Sequence, residues 1–200
     1  MFFVSKSSVN WQYFISMKGA IAKLSSLLLF LPILVSCSNS NLAIKKTTPT
    51  VKYPCQNCLL LIRDRQNRTN SLGNPIYKLE AYQDNQKIYS FDAVTGRKNT
   101  QNRNRNRSGT EAPLPDGKYL ISSKIVPGAL PETGETFIPI YPEFATARTD
   151  LGIDYDPSFN QNNGEDGTAG CIALTNQSDR DLINQFVIKY NPKELIVNIQ

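Results

Sequence analysis

The 200-residue chain has no histidine, four cysteines and one tryptophan. Without histidine it lacks the usual base for a cysteine nucleophile, and it lacks an imidazole metal ligand. No acidic residue precedes Cys37, where Lys6, Lys18 and Lys23 lie. Setting that segment aside leaves 19 basic against 17 acidic residues, a balance of +2 in place of +5. This charge does not argue for nucleic acid, and no recognition motif for it occurs. The apolar run Leu24 to Val35, broken by Ser25, Ser26 and Pro32, is shorter than the ~20 residues a membrane-spanning helix takes.

Lys18 and Lys23, this apolar run and Leu34-Val35-Ser36-Cys37 are in the order of an export signal, positive then apolar then small. Because cysteine follows the small residue, the stretch resembles a bacterial lipoprotein signal. That resemblance implies cleavage before Cys37, diacylglycerol on its sulfur and a lipid-anchored protein facing the periplasm or cell wall. Trp11, Tyr13 and Phe14 do not suit such a signal, and a start at Met17 gives one of ordinary length. Residues 1–36 are thus read as a signal peptide and 37–58 as a polar tether ending in Cys55-Gln56-Asn57-Cys58. In an oxidising compartment these two cysteines are expected to form a local disulfide. A redox role lacks the surrounding βαβ pattern, and a zinc site lacks two further ligands. No cofactor or metal is expected.

Residues 59–200 read as one mainly β domain, β-rich α+β in class, with one late helix. Leu59 to Ile62 has strand length. The runs Ile76 to Tyr82 and Lys87 to Val94 alternate around Asp84-Asn85, a hairpin pattern. The stretch from Gly96 to Gly109, with Arg103, Arg105 and Arg107, reads as an exposed loop. It is either simply solvated or a contact for an anionic polymer. Pro113 to Gly117 is turn chemistry, followed by a strand over Lys118 to Ser123. Pro139 confines a strand over Phe137 to Tyr141 to an edge or a bulge. Ser178 is the expected helix cap, with Leu182, Ile183, Phe186, Val187 and Tyr190 at helical spacing behind it. Asn191-Pro192 ends the helix before a last strand, Glu194 to Ile199.

Candidate chemistry centres on Gly167-Thr168-Ala169-Gly170-Cys171-Ile172-Ala173-Leu174, a cysteine on a tight turn before an apolar run. Its bland alternative is a small buried hydrophobe. Together with Val94-Thr95-Gly96 and Ala112-Pro113-Leu114-Pro115-Asp116-Gly117-Lys118-Tyr119, this stretch resembles the L,D-transpeptidase (YkuD-like) catalytic domain. The resemblance covers about residues 59–200. It implies a β-sandwich-like domain acting on peptidoglycan stem peptides, working as a monomer, with Cys171 as the acyl-accepting nucleophile. Cys171 would attack the third-residue carbonyl and release D-alanine. Thr168 and Gly170 belong to the implied catalytic signature, and Gly167 and Gly170 would bring backbone N–H groups to an oxyanion.

The chain departs from the family where histidine is expected. Asp154, in Leu151-Gly152-Ile153-Asp154-Tyr155-Asp156, occupies that place, and Ala169 stands where many members carry a second histidine. A thiol of pKa about 8.5 is only about 3% thiolate at pH 7. Passing its proton to a carboxylate near 3.9 costs about 6 kcal/mol. An inactive relative that binds or scaffolds peptidoglycan is therefore the alternative. Arg148 reads either as a ligand for a substrate carboxylate or as an exposed loop residue. Tyr155 reads as a groove residue or a packing one, and Asp156 and Asp166 as loop caps.

Overall fold

A computed structural model describes residues 55–129 and 133–200. Cys37, the signal and most of the tether lie outside the described residues. Among the described residues the protein is mainly β, with nine strands and one α-helix. The strands are β1 (Asn57–Arg63), β2 (Tyr77–Gln83), β3 (Gln86–Val94), β4 (Gly117–Ile121), β5 (Val126–Pro127), β6 (Thr136–Pro142), β7 (Gly152–Tyr155), β8 (Ile172–Leu174) and β9 (Glu194–Asn198). Helix α1 (Gln177–Tyr190) lies between β8 and β9.

The strand order is β4-β9-β1-β2-β3-β8-β7-β6-β5, and β4 also pairs with β6. That extra pairing closes eight strands into a ring and leaves β5 as a short spur on β6. Closure leaves the eight strands no long unpaired edge. Most neighbours are antiparallel, but β1 pairs parallel with β9 and β7 parallel with β8. Alternate residues of the ring face one interior. Leu59, Leu79, Phe91, Tyr119, Ile153 and Leu195 meet there with Ile183, Phe186 and Val187 of the helix.

Local chemistry explains several elements. Asp84 and Asn85 both take positive φ, 50° and 62°, which suits the two-residue hairpin between β2 and β3. Asn191, at φ 45° and ψ 54°, closes α1 in the left-handed conformation, and its N–H returns to the Val187 carbonyl. Cys55 and Cys58 form a disulfide at the start of β1.

Three expectations change. The helix cap is Asn176, not Ser178, and its side chain accepts the Asp179 N–H at 2.9 Å. Either residue is a competent cap. The Thr175 N–H, held on the Asp92 carbonyl, sets the chain to turn two residues earlier. Strand β6 is not an edge. Pro139 pairs with Gly152 of β7 on one side, while the other side of β6 serves β5 through residues 136–137 and β4 through residues 140–142. Pro139 thus stands in the gap between two partners, where a missing N–H costs no ladder bond. Finally, Arg105 is not a solvated loop residue. Its guanidinium lies on Asp116, with a 2.8 Å contact, and on the Leu114 carbonyl, tying the arginine-rich loop to the turn before β4.

Candidate active site

The register of β7 and β8 determines what faces what. Ile153 pairs with Ile172 and Tyr155 with Leu174, and Ile153, Ile172 and Leu174 lie in the core. Strand side chains alternate, so Asp154 and its partner Ala173 point away from that core. Cys171 lies two residues before Ala173 and emerges on the same side. Asp154 and Cys171 accordingly line one pocket of about 640 Å³, together with Thr168 and Arg148. Val126, Phe137 and Tyr141 contribute apolar lining, and Arg97 and Glu111 polar lining. Cys171 is half-buried, with its sulfur 3.8 Å from the Asp150 carbonyl oxygen, and Asp154 is buried.

The loop before Cys171 is shaped by hydrogen bonds from distant chain segments. The Thr168 hydroxyl oxygen accepts the N–H groups of Gly96 and Gly170 at 3.0 Å each and donates to the Cys171 carbonyl at 3.0 Å. This uses both acceptor lone pairs and the one donor of a hydroxyl. The Thr168 N–H returns to the Gly96 carbonyl at 3.1 Å. Gly96, at φ +70°, has no room for a Cβ, which would lie 2.6 Å from the Pro113 nitrogen. The Thr95 hydroxyl accepts the Leu114 N–H at 2.9 Å. The segments around Thr95-Gly96, Ala112-Pro113-Leu114 and Thr168–Cys171, far apart in sequence, therefore form one hydrogen-bonded unit.

Arg148 is bonded to this unit and is only 6% exposed, which removes the exposed-loop alternative. One terminal nitrogen donates to the carbonyls of Arg105 at 3.2 Å and Ala112 at 3.3 Å; the other donates to the Ala169 carbonyl at 3.0 Å. Gly170, at φ +119°, fits only as glycine, because a Cβ there would come 1.4 Å from the Arg148 guanidinium. Burial pulls the Arg148 pKa below the ordinary guanidinium value, and Cys171 and then Tyr119 act against that shift. A guanidinium nonetheless stays protonated.

Asp156 holds the other end of the loop, accepting the Gly167 N–H at 2.9 Å and the Ser158 N–H at 2.8 Å. Burial raises its pKa to about 6 against those two hydrogen bonds, with Asp166 adding to the rise and Arg97 opposing it. Asp166 receives Asn70, Asn74 and the Asn160 N–H. Both aspartates thus act as loop caps.

The structure brings Cys171, Asp154, Thr168 and Arg148 together and redistributes other expected roles. The N–H groups of Gly167 and Gly170, expected to face an oxyanion, are given to Asp156 and Thr168. Gly170 serves instead as the contact point for Arg148. The Arg148 fork rests on backbone carbonyls rather than presenting itself to a carboxylate. Tyr155 is not among the pocket residues and packs by Gly134. Arg97 was missed by sequence reasoning. It reaches Glu165 at 3.0 Å, Glu111 at 3.3 Å and the Gly164 carbonyl at 2.9 Å. No local signal pointed to it, since its partners come from two separate loops. Among the described residues no group of His, Cys, Asp or Glu is placed to hold a metal ion.

No protein-family model matches this chain, and no curated protein matches it either.

Proposed function

We propose that this protein is a cell-wall lipoprotein of L,D-transpeptidase type, transferring an acyl group of a peptidoglycan stem peptide through Cys171. One observation carries the reading. The three motifs that resemble the family are hydrogen-bonded to one another, and the one that carries Cys171 lines a pocket together with Asp154. The β-sandwich of that family is the finer description proposed for the mainly β fold. Anchoring through Cys37 would hold the domain at a membrane surface in the cell envelope, facing its polymeric substrate.

In the proposed reaction the Cys171 sulfur bonds to the substrate carbonyl carbon, the C–N bond breaks and the departing amine takes up a proton. An amine acceptor or water then releases the acyl group. The mixed lining suits a peptide, with Val126, Phe137 and Tyr141 offering apolar contacts and Arg97 and Glu111 polar ones. Asp154, in the place where the family carries histidine, is the group proposed to exchange protons with the departing and accepting amines rather than with the thiol.

The absence of histidine favours a second reading, a domain that binds the stem peptide without turning it over. A carbapenem-type acylating probe separates the two. Acyl transfer predicts a covalent adduct on Cys171 by intact mass, lost in Cys171→Ala. A folded protein that forms no adduct over hours, but still binds isolated sacculi, sinks the acyl-transfer reading and supports the second.

A further inference from the structure

A cation removed from water needs a compensating charge or a full set of acceptors. Arg148 is buried and has three carbonyl acceptors, which satisfy donors but carry no net charge. The ionisable groups that act on it are Cys171 and Tyr119. Tyr119 is itself fully buried, its hydroxyl donates to the Pro115 carbonyl at 2.7 Å, and burial drives its pKa upward, so it remains a neutral phenol. Cys171 lines the same pocket as Arg148, and its charge favours the protonated guanidinium against the cost of burial. Its backbone is held by the same cation, through Ala169 two residues earlier and through the close approach at Gly170.

We infer that Arg148 is the positioning and activating residue of this site: its buried guanidinium holds Cys171 as a thiolate at neutral pH, in place of an imidazole base. The S–H proton passes to bulk water before any substrate arrives, and the sulfur keeps the electron pair. No base is then needed for the attack, and the lack of histidine in the chain ceases to be an obstacle. This deepens the acyl-transfer reading and rests on it for biological meaning, although the charge state of the sulfur does not depend on any substrate. The fork geometry is specific to arginine. Lysine brings a charge but cannot span carbonyls from residues 105, 112 and 169 at once.

The other charged groups facing this region are in view. Asp154 lines the same pocket from β7, and an ionised Asp154 opposes the thiolate. The Asp150 carbonyl accepts the Cys171 S–H at 3.8 Å, a contact that favours the neutral thiol and that the guanidinium must outweigh. Arg97 and Glu111 also line the pocket and face one another as an ion pair, so their charges largely cancel.

The test is the pH dependence of Cys171 alkylation by iodoacetamide, a neutral reagent, read by peptide mass so that Cys37 is scored separately. In the folded wild-type chain the midpoint is expected at least about one unit below the ordinary thiol value of about 8.5, giving roughly tenfold faster labelling at pH 7 than the urea-unfolded chain corrected for access. Arg148→Met should return the midpoint to the ordinary value or above. Arg148→Lys should recover part of the shift, which a purely structural role would not do, and Asp154→Asn should lower the midpoint further. A wild-type midpoint at or above the unfolded value overturns the inference even if the Arg148 variants do not fold. So does an unchanged midpoint in folded Arg148→Met. A low midpoint without a carbapenem adduct leaves the inference standing and removes only the acyl-transfer reading.

Discussion

Two arginines line the pocket, in different surroundings. Arg148 is buried and bonded to backbone carbonyls of three segments. Arg97 meets Glu111 and Glu165, which are 42% and 53% exposed. The same side chain thus does two jobs. For Arg97 the charge is cancelled by carboxylates in contact with water, where ion pairs contribute little. For Arg148 the hydrogen-bond acceptors are neutral carbonyls, and its charge acts on Cys171. Burial and the choice of partner, not residue type, decide which arginine matters to the sulfur.

The sharpest way to break this difference is Gly170→Ala. The added methyl would collide with the Arg148 guanidinium and the residue would keep a positive φ. A loss of about 3 kcal/mol in urea unfolding is expected, from overpacking and backbone strain together. Little loss would mean that the loop and Arg148 are not pressed together as described.

Next comes the direct pair of substitutions. Arg148→Met leaves three carbonyls without their donor and should cost about 2–3 kcal/mol, at about 1 kcal/mol per hydrogen bond. Arg97→Met should cost about 1 kcal/mol or less, since its partners can return to water. Equal losses in parallel urea titrations would erase the distinction between the two arginines.

The smallest effect concerns the anchor of the same loop. Asp156 titrates at about 6 in the folded chain against an ordinary 3.8, chiefly because it is buried. Between those values the folded protein holds a proton that the unfolded chain has released. This group's contribution to stability therefore falls as pH rises from about 4 to about 6 and is level above that window. Asp156→Asn removes the contribution. Thermal melts of the two proteins should differ most in slope across pH 4 to 6, with the variant gaining relative to wild type as pH rises. Parallel curves would show that Asp156 does not titrate there.

Much of the fold was legible wherever neighbouring residues settle the matter. Alternation around Asp84-Asn85 marked the β2–β3 hairpin, and the spacing of Leu182, Ile183, Phe186 and Val187 marked the helix. The cap was displaced by two residues because Asn176 and Ser178 are both competent caps. The choice between them came from the Thr175 contact with Asp92 on another strand. Pro139 looked like an edge because the two partners that share one side of β6 lie at 117–121 and 126–127. Arg105 looked solvated because Asp116, its partner, lies eleven residues away across a turn. In the site, Cys171 was legible from its glycine and the apolar run after it. The role of Arg148 was not, since three carbonyls from residues 105, 112 and 169 define it.

By itself the sequence determined what local chemistry can determine: strands and a helix from hydrophobic period, turns from Asp, Asn, Gly and Pro, a cysteine on a glycine turn, and the absence of any imidazole. Tertiary structure alone decided that β4 meets β6 to close the ring, that parallel pairing of β7 and β8 puts Asp154 and Cys171 on one face, and that a buried guanidinium holds the turn before Cys171. The reason is physical. Period and turn preference act between residues a few positions apart. Desolvation and charge act between groups that only the folded chain brings together.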